Sequence, residues 1–437
     1  MDYNYPTIRS SYAGHPSNYS ELWPIGSHEP MKKPLRVLIT NNSLDQRSGT
    51  ELYVKELALA LIKAGHLPIA YSQVLGEVAD ELKQMTVPVL NNLHDLREPP
   101  DIIQGHHHLE TMTALLHFPS TPAIFVCHEW VGWMGNPPSY PTIGRYIGVS
   151  NLLREKILTS SGIDPQLVDV IYSFVDPSKV VQKKSLPEKI RKALVFNNHA
   201  REGEALETIR SACSHCGIEQ LDVIGAGVGN VVKEPGKVLH EYDLVFGIAR
   251  SALEAAFAGC AVISADFTGI GGMVTTANVQ EFRSYNFAIR NLQNFAFTEE
   301  NLVNEIRKYN PEESEGVSKW IRIDADIEKA VDRYLTIYRE VISRGTNKVS
   351  SEGESIARHT SDYLRTIVSP QIKAMHKGLL HYIKENALLD DKIKALELRN
   401  AQLEKETAQI AASANHCPET KEKGLWKRIK PLLSKQS

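Results

Sequence analysis

The sequence is poor in cysteine, in long apolar runs and in charge of one sign. Five cysteines among 437 residues are too few for a scaffold built on disulfides. The longest apolar run covers residues 255–263, whereas a membrane-spanning helix needs about 20 residues. Lys and Arg number 49 against 52 Asp and Glu, so the net charge of −3 gives no electrostatic reason to expect nucleic-acid binding.

The N-terminal segment also lacks the basic start and apolar stretch of a secretory signal. We therefore expect a cytoplasmic protein with reduced thiols. Residues 1–33, rich in Tyr, Ser, Pro and Gly, are predicted to be a disordered extension. Residues 415–437 form a basic tail that is either a frayed end or a peripheral contact with the inner membrane face.

What the sequence does contain is a repeated alternation of short Val/Ile-rich strands and helical segments. This pattern is typical of doubly wound α/β domains with parallel sheets covered on both faces. It predicts a first Rossmann-like domain over residues 34–180, a second over 187–315 and a closing helix over 316–345. Because ligands of open parallel sheets bind at the carboxyl ends of the strands, we expect a site in a cleft between the two domains.

Beyond a Ser/Gly/Glu-rich hinge at residues 345–358, a heptad pattern predicts a helical region over 359–414 that forms a coiled coil. Asn386 and Asn400 occupy a positions, where each favours its own copy as partner, so a parallel homodimer is predicted. A single solvated helix is the alternative. The a positions are Leu379, Asn386, Ile393, Asn400 and Thr407, and the d positions are Tyr382, Leu389, Leu396, Leu403 and Ile410.

Two candidate site elements follow strands of the first domain. Gly49 and Thr50 form a glycine turn between the first strand and the first helix, where the backbone can approach an anionic ligand. His128 follows the strand predicted over residues 123–127 and is the candidate catalytic residue, because an imidazole there can orient a hydroxyl, act as a base or hold a phosphate. An ordinary helix cap and a structural histidine are the alternatives.

Two further candidates follow strands of the second domain. Arg250 can neutralise a diphosphate, and Glu254, one helical turn later, can accept hydrogen bonds from a ribose diol, although a surface ion pair is the alternative. The glycine-rich segment 269–276, with Gly271, Gly272 and Thr275, is predicted to be a loop that cradles phosphate or sugar oxygens. No metal is expected, because the CxxC at 213–216 has no second ligand pair and adjacent histidines at 106–108 point apart.

Several ordered landmarks make residues 34–343 similar to family 4 of the GT-B glycosyltransferases. The glycine turn with its helix and the Ala-Gly-His ending at 64–66 resemble the start of that family. VCHE at 126–129 resembles its histidine-bearing strand end, and IGVS at 147–150 and VDVIYSFVD at 168–176 resemble later segments. SALEAAFAGCAVI at 251–263 resembles the donor helix, and AVDRYLTIY at 330–338 the closing helix.

The resemblance implies that a nucleotide-diphosphate sugar is the donor, that no further cofactor is needed, and that Arg201, Arg250 and Glu254 bind the donor. Two departures stand out. Phe246 replaces the first of two glutamates spaced eight positions apart, and no lysine follows Arg201 at the usual spacing.

The sequence thus predicts a metal-independent glycosyltransferase for cell-surface glycan synthesis, with a saccharide or lipid-linked acceptor. The alternatives are a nucleotide-sugar epimerase or hydrolase on the same fold, and a non-catalytic dimeric scaffold.

Overall fold

The structure is a computed structural model that describes residues 33–345 and 353–414. The predicted N-terminal extension, except Lys33, and the predicted basic tail lie outside the described residues. Two α/β domains, each with its own sheet and apolar core, are followed by a long C-terminal helix.

The first domain contains a seven-stranded parallel sheet in the order β5-β3-β1-β6-β7-β8-β9, and a two-stranded β2-β4 pair lies beside it. The strands at the centre of the seven-stranded sheet are buried on both faces, as the lack of alternation in the sequence predicted. The strands are β1 Arg36–Thr40, β2 Ser43–Leu44, β3 Leu67–Tyr71, β4 Val74–Leu75, β5 Val89–Leu90, β6 Ile102–Gly105, β7 Ala123–Cys127, β8 Ile143–Gly148 and β9 Val168–Val170. The helices are α1 Gly49–Lys63, α2 Glu77–Gln84, α3 His108–His117 and α4 Asn151–Leu158.

The second domain contains a five-stranded sheet in the order β11-β10-β12-β13-β14, in which only the last strand is antiparallel. Apolar clusters cover both faces of this sheet. The strands are β10 Lys192–Phe196, β11 Gln220–Ile224, β12 Leu244–Gly247, β13 Ala261–Asp266 and β14 Gly269–Met273. The helices are α5 Glu204–His215, α6 Ala249–Ala258, α7 Val279–Ser284 and α8 Glu299–Ile306, followed by α9 Pro311–Asp324.

The chain crosses between the domains twice, and the two crossings lie side by side. The Val175 amide donates to the Ala325 carbonyl at 2.8 Å, and the Ile327 amide donates to the Val175 carbonyl at 3.2 Å. After the second crossing, helix α10 (Ile327–Arg344) packs into the core of the first domain, where Tyr334 and Tyr338 are fully buried.

The single closing helix predicted over residues 316–345 is therefore two helices. Helix α9 begins before this range, at Pro311, and packs on α6 of the second domain. Helix α10 belongs to the first domain. The break falls at the domain crossing, where the Asp326 carboxylate accepts a hydrogen bond from the Glu328 amide and caps α10.

The C-terminal helical region begins with α11 (Gly353–Tyr363), passes through a π-helical turn at Leu364–Val368 and continues as α12 (Ser369–Ala414). The predicted hinge at 345–358 is thus too long, because residues from Gly353 onward are helical. Pro370 explains the π-helical turn, because proline lacks the N–H that would bond the Thr366 carbonyl in a regular α-helix. None of the described helices is long and apolar enough to cross a bilayer.

The predicted a and d residues of α12 are all exposed in the single chain. Two further apolar side chains, Ile372 and Met375, extend the same heptad pattern by one repeat toward the N-terminus. The structure thus contains the predicted helix with an uncovered apolar stripe, while its pairing with a second copy stays a prediction.

Candidate active site

The carboxyl ends of the two parallel sheets face each other across an interdomain cleft. Polar contacts span this cleft. The Arg47 guanidinium donates to the Lys233 carbonyl at 2.7 Å, and the Lys233 ammonium lies 2.8 Å from the Glu77 carboxylate. At another place, Arg290 and Glu155 form an ion pair at 2.6 Å.

The predicted glycine turn lies at the cleft side of the first domain, where α1 begins at Gly49 with Ser48 as its N-cap. The buried Glu51 carboxylate organises the preceding loop by accepting hydrogen bonds from the Ser43 hydroxyl at 2.9 Å and from backbone amides of residues 45, 46 and 48. A side chain added at Gly49 would meet no atom within 4 Å. The start of α1 therefore has open space at Gly49, and helix N-termini favour anions.

His128 lies at the end of β7, as predicted, and is only partly buried. Its Nε2 atom is 2.6 Å from Nδ1 of His106, and its ring contacts Tyr53 edge-on at a centroid distance of 4.7 Å. Burial, followed by the charge of nearby His107, lowers the pKa of His128 to about 3. The imidazole is therefore neutral at pH 7.

Behind His128, a series of hydrogen bonds leads into the core of the first domain. Gln104 Nε2 lies 3.1 Å from His106 Nε2, and the Tyr338 hydroxyl of α10 donates to Gln104 Oε1. Burial, with the charges of His128 and His107, lowers the pKa of His106 well below its usual range. The sequence pattern gave no signal for this connection, because its members are separated by up to 234 residues.

Arg250 and Glu254, both predicted as donor-binding residues, meet in an ion cluster that joins the domains. Arg250 Nε lies 2.6 Å from the Glu254 carboxylate, one turn along α6. Arg250 Nη2 lies 2.7 Å from both carboxylate oxygens of Glu56, a residue of α1 in the other domain. Lys179 Nζ approaches Glu56 at 3.4 Å. We call these four residues the interdomain ion cluster.

Burial and neighbouring charges act against each other in this cluster, and the pKa values of Arg250 and Glu254 are both raised. Burial alone lowers the pKa of Arg250, but the carboxylates of Glu56 and Glu254 raise it above its ordinary value. Burial raises the pKa of Glu254, and Arg250 only partly offsets this effect. Glu56 was not identified from the sequence, because in α1 it is one acidic residue of an amphipathic helix, and only the tertiary fold brings it to Arg250.

The turn that carries Arg250 has a strained backbone. Ala249 adopts a φ of +48°, a region that residues with a Cβ atom seldom occupy. Its amide donates to the Phe287 carbonyl at 3.3 Å, and Phe287 itself has a φ of +52°. Such strain is concentrated at functional sites, where the surrounding structure holds it in place. The start of α6 is therefore a constrained element rather than an ordinary surface turn.

Arg201 lies in the exposed loop after β10, which also ends at the cleft edge of the second sheet. This loop packs tightly on the one after β11: a Cβ atom at Gly227 would lie 2.2 Å from the Ala200 carbonyl oxygen. The structure thus places Arg201 on the same sheet edge as Arg250, but outside the interdomain ion cluster.

The prediction of a phosphate-binding loop over residues 269–276 is wrong for its glycine-rich part, because Gly269–Met273 forms strand β14 instead. Gly271 and Gly272 are buried, and a Cβ atom at Gly272 would lie 2.8 Å from Glu305 Oε2. Because β14 runs antiparallel to β13, it carries the chain away from the cleft, and Thr275 lies at the opposite sheet edge. The glycines allow close packing at the edge of the sheet, and these three residues do not belong to the site.

The histidines and cysteines that the sequence analysis set aside form no cluster able to hold a metal ion within residues 33–345 and 353–414. Cys213 is buried at the end of α5 and Cys216 is half-buried beyond it. His107 Nδ1 accepts a hydrogen bond from the Asn42 amide, and His108 Nδ1 contacts the Tyr363 hydroxyl at 2.9 Å. Both therefore have structural partners.

Neither protein-family models nor curated protein sequences match this chain. Among solved structures, a glycosyltransferase from Rickettsia africae aligns with a TM-score of 0.53 and 13% identity, over 71% of this chain and 99% of that one. Anabaena HepE in complex with UDP and glucose aligns with a TM-score of 0.49 and 12% identity, over 69% and 99% of the two chains. Sucrose-phosphate synthase from Thermosynechococcus elongatus aligns with a TM-score of 0.49 and 11% identity, over 71% of this chain and 100% of that one.

The similarity to the Rickettsia africae structure shows a shared two-domain fold that extends over nearly the whole of that protein. The GT-B fold predicted from the sequence, two Rossmann-like domains that face a cleft and are followed by a helix, is confirmed. The assignment to family 4 stays a prediction.

The corrected position of Gly272 gives a first prediction. Its φ of +111° and its contact with Glu305 mean that Gly272→Ala strains the backbone and the β14 edge. We expect thermal or urea unfolding to show a loss of about 1–3 kcal/mol. Gly49→Ala is the matched control, because its added methyl group has open space, and should change stability by less than about 0.5 kcal/mol. Equal effects of the two substitutions would contradict this assignment.

Glu110, at the start of α3, gives a second prediction. One of its carboxylate oxygens is buried without a hydrogen-bond partner among the described residues, and burial raises its pKa to about 7. The unfolded chain releases this proton near pH 4.3, so the folded state binds more protons between pH 5 and 7 and stability falls as the pH rises through this window.

We therefore expect Glu110→Gln to stabilise the protein more at pH 8 than at pH 5, with a difference of about 2–3 kcal/mol between the two pH values. Urea unfolding of both proteins at each pH measures this difference. The buried histidines have lowered pKa values and oppose the trend, but they do so equally in both proteins. A stabilisation that does not depend on pH would show that Glu110 titrates normally.

Proposed function

We propose that this protein is a glycosyltransferase that moves a sugar from a nucleotide-diphosphate sugar to a saccharide or lipid-linked acceptor. The observation that carries the proposal is the pairing of Arg250 with Glu254 at a strained helix start, at the same cleft as His128, in a GT-B fold. A cation and a carboxylate one turn apart can bind a diphosphate and the ribose next to it. The UDP and glucose named for the Anabaena complex belong to the same class of ligand.

The second domain would hold the leaving diphosphate. The positive end of the α6 dipole and the Arg250 guanidinium can stabilise the charge that develops on the phosphate, so that no metal ion is required. Arg201, on the same sheet edge, can add a second positive charge. Glu254 is buried and accepts from Arg250 through one oxygen, which leaves the other oxygen for the ribose hydroxyls.

Glu56 places a condition on this proposal. Its carboxylate occupies Arg250 Nη2 through two contacts of 2.7 Å, in the position that a phosphate would also favour. A diphosphate therefore has to compete with Glu56 or displace it, and the domains then separate at this contact. The Glu56 carboxylate and a phosphate are both anions, so Arg250 keeps a negatively charged partner when one replaces the other.

The first domain would bind the transferred sugar and the acceptor. His128 lies at the end of β7 on the cleft side, and the start of α1 has open space at Gly49 for an anionic or hydroxyl-rich group. The class of acceptor, glycan synthesis and a peripheral contact with the inner membrane face follow from the family resemblance and the basic tail, and remain part of the proposal.

We also propose that α12 forms a parallel homodimeric coiled coil. Its exposed apolar stripe continues over six heptads, from Ile372 to Ile410. Parallel pairing sets Asn386 and Asn400 against their own copies and Lys392 against Glu397, whereas antiparallel pairing would set the asparagines against apolar d residues. The asparagine positions and the Lys392–Glu397 pair therefore favour the parallel arrangement, against one repulsive pair, Glu385 with Asp390.

Calorimetric titration of the full-length protein with UDP, GDP and their sugar conjugates tests the donor site. We expect one nucleotide to bind and Glu254→Ala to weaken it by about tenfold or more, because a charged hydrogen bond to the ribose is lost. Glu56→Gln should tighten binding, because a neutral amide competes less well for Arg250.

The matched control is Glu155→Gln, which breaks the separate interdomain ion pair with Arg290 and should leave nucleotide affinity unchanged. Release of the nucleoside diphosphate in the presence of acceptor glycans then tests sugar transfer. A folded protein that binds none of these nucleotides, even as Glu56→Gln, would contradict the transferase and favour the scaffold.

The coiled coil is tested by the mass of the full-length protein in solution. Wild type should have twice the monomer mass. Leu389→Asp with Leu396→Asp places charge at two d positions and should give a monomer. Leu388→Asp with Leu398→Asp is the matched control, because these exposed leucines lie at c and f positions off the seam. A monomeric wild type would refute the proposed dimer.

A further inference from the structure

Four side chains form a continuous hydrogen-bonded series from α10 to the cleft. We call it the Tyr338–His128 chain; its members are Tyr338, Gln104, His106 and His128. The first three are fully buried, and the last reaches the cleft at the end of β7. Hydrogen-bond donors and acceptors must alternate along such a series, so the polarity at one end determines the protonated nitrogen at the other.

The polarity is determined at Tyr338. Its hydroxyl hydrogen needs an acceptor in a fully buried position, and the acceptor that the described residues provide is Gln104 Oε1. The amide nitrogen of Gln104 is then directed at His106 Nε2, 3.1 Å away. The reverse amide orientation would direct the Gln104 amide nitrogen at the Tyr338 hydroxyl oxygen and leave the tyrosine hydrogen without an acceptor among the described residues.

The two histidines follow from this orientation. Because Gln104 donates to His106 Nε2, that nitrogen is the unprotonated one, and the neutral ring carries its hydrogen on Nδ1. This N–H points at His128 Nε2, 2.6 Å away, which must accept. A neutral His128 then carries its hydrogen on Nδ1. No described hydrogen bond within residues 33–345 and 353–414 uses this Nδ1 atom.

We propose that the Tyr338–His128 chain holds His128 as the Nδ1–H tautomer, so that its ring serves the cleft as a hydrogen-bond donor and not as a base. The tautomer follows from geometry alone, while its use toward a sugar hydroxyl or phosphate oxygen rests on the proposed function. Both rings are neutral at pH 7, because burial lowers the pKa of His128 to about 3 and that of His106 in the same direction. Tyr338, Gln104 and His106 are positioning residues.

The Nδ1–H tautomer of His128 fits sugar transfer better than the alternative reactions, epimerisation and hydrolysis, which need a base. A base must accept a proton on a free lone pair, but His128 Nε2 already accepts from His106 and Nδ1 is protonated. His128 can therefore take a proton from a sugar carbon or a water only if the whole chain reverses. A fixed N–H donor, in contrast, suits an oxygen on which negative charge develops during sugar transfer.

The test is long-range proton–nitrogen NMR of the full-length protein with ¹⁵N-labelled histidine, at pH 7 and without ligand. His128→Asn and His106→Asn assign the two rings. We expect a protonated Nδ1 and an unprotonated Nε2 on His128, and the same on His106. A protonated Nε2 on His128 would overturn the proposal.

Tyr338→Phe removes the group that determines the polarity and lets the Gln104 amide rotate. We expect the Nδ1–H fraction of His128 to fall, and kcat for sugar transfer to fall in proportion, by about two- to fivefold, with KM unchanged. Tyr334→Phe is the matched control: it removes a buried hydroxyl one turn away on α10 that bonds Tyr53 instead, and should leave the tautomer unchanged.

Gln104→Met provides a second break of the chain, independent of α10. An unchanged His128 tautomer in both Tyr338→Phe and Gln104→Met would refute the positioning role. The NMR measurement needs no substrate, so a wild type with the Nδ1–H tautomer and no transfer activity would contradict the proposed function and leave the tautomer assignment intact.

Discussion

The arrangement of this protein depends on the return of the chain from the second domain to the first. The paired crossings at Val175 and Ala325 join the domains by two backbone hydrogen bonds, and α10 then buries two tyrosines in the first core. This helix supplies Tyr338 to the interior of the domain that carries His128. The returning helix α10 therefore also supplies a member of the hydrogen-bonded series that ends at His128. A change in the packing of α10 would alter the hydrogen bonding of His128.

The contact between the two domains also balances charge in the cleft. Arg250 and Lys179 contribute two positive charges, and Glu56 and Glu254 two negative ones, so the interdomain ion cluster is formally neutral. Removing one member of a buried cluster leaves an uncompensated charge, which costs several kcal/mol. A diphosphate that replaces Glu56 at Arg250 avoids this cost, since it brings its own negative charge. In the proposed function, the Arg250–Glu56 contact is both an interdomain bond and the place where the diphosphate replaces Glu56.

Sequence reasoning was most successful where local pattern decides structure. The Val/Ile-rich strands and the strand end at His128 depend on neighbours in sequence, and they lie where they were predicted. Gly49 and Thr50, predicted as a turn before the first helix, are instead the first two residues of that helix. The segment with Gly271 and Gly272 was misread because glycines in a tight antiparallel edge strand look the same in sequence as glycines in a phosphate loop. Glu56, Gln104 and Tyr338 carried no local signal. Glu56 lies 194 residues from its partner Arg250, and Tyr338 lies 234 residues from Gln104. Gln104 and His106 are only two residues apart, but the polarity of their hydrogen bond is set by Tyr338 of α10.

Phe246 stands where the family resemblance led us to expect a glutamate, and the fold explains why an apolar residue is found there. Its side chain is 1% exposed and packs among the apolar residues between the second sheet and helices α5 and α8. A glutamate with this orientation would bury its carboxylate in an apolar core, where an unpaired charge is strongly unfavourable. The carboxylates that reach Arg250 come instead from α6 and from α1 of the opposite domain. An acidic residue supplied across the cleft responds to domain separation, whereas one supplied by the same strand would not.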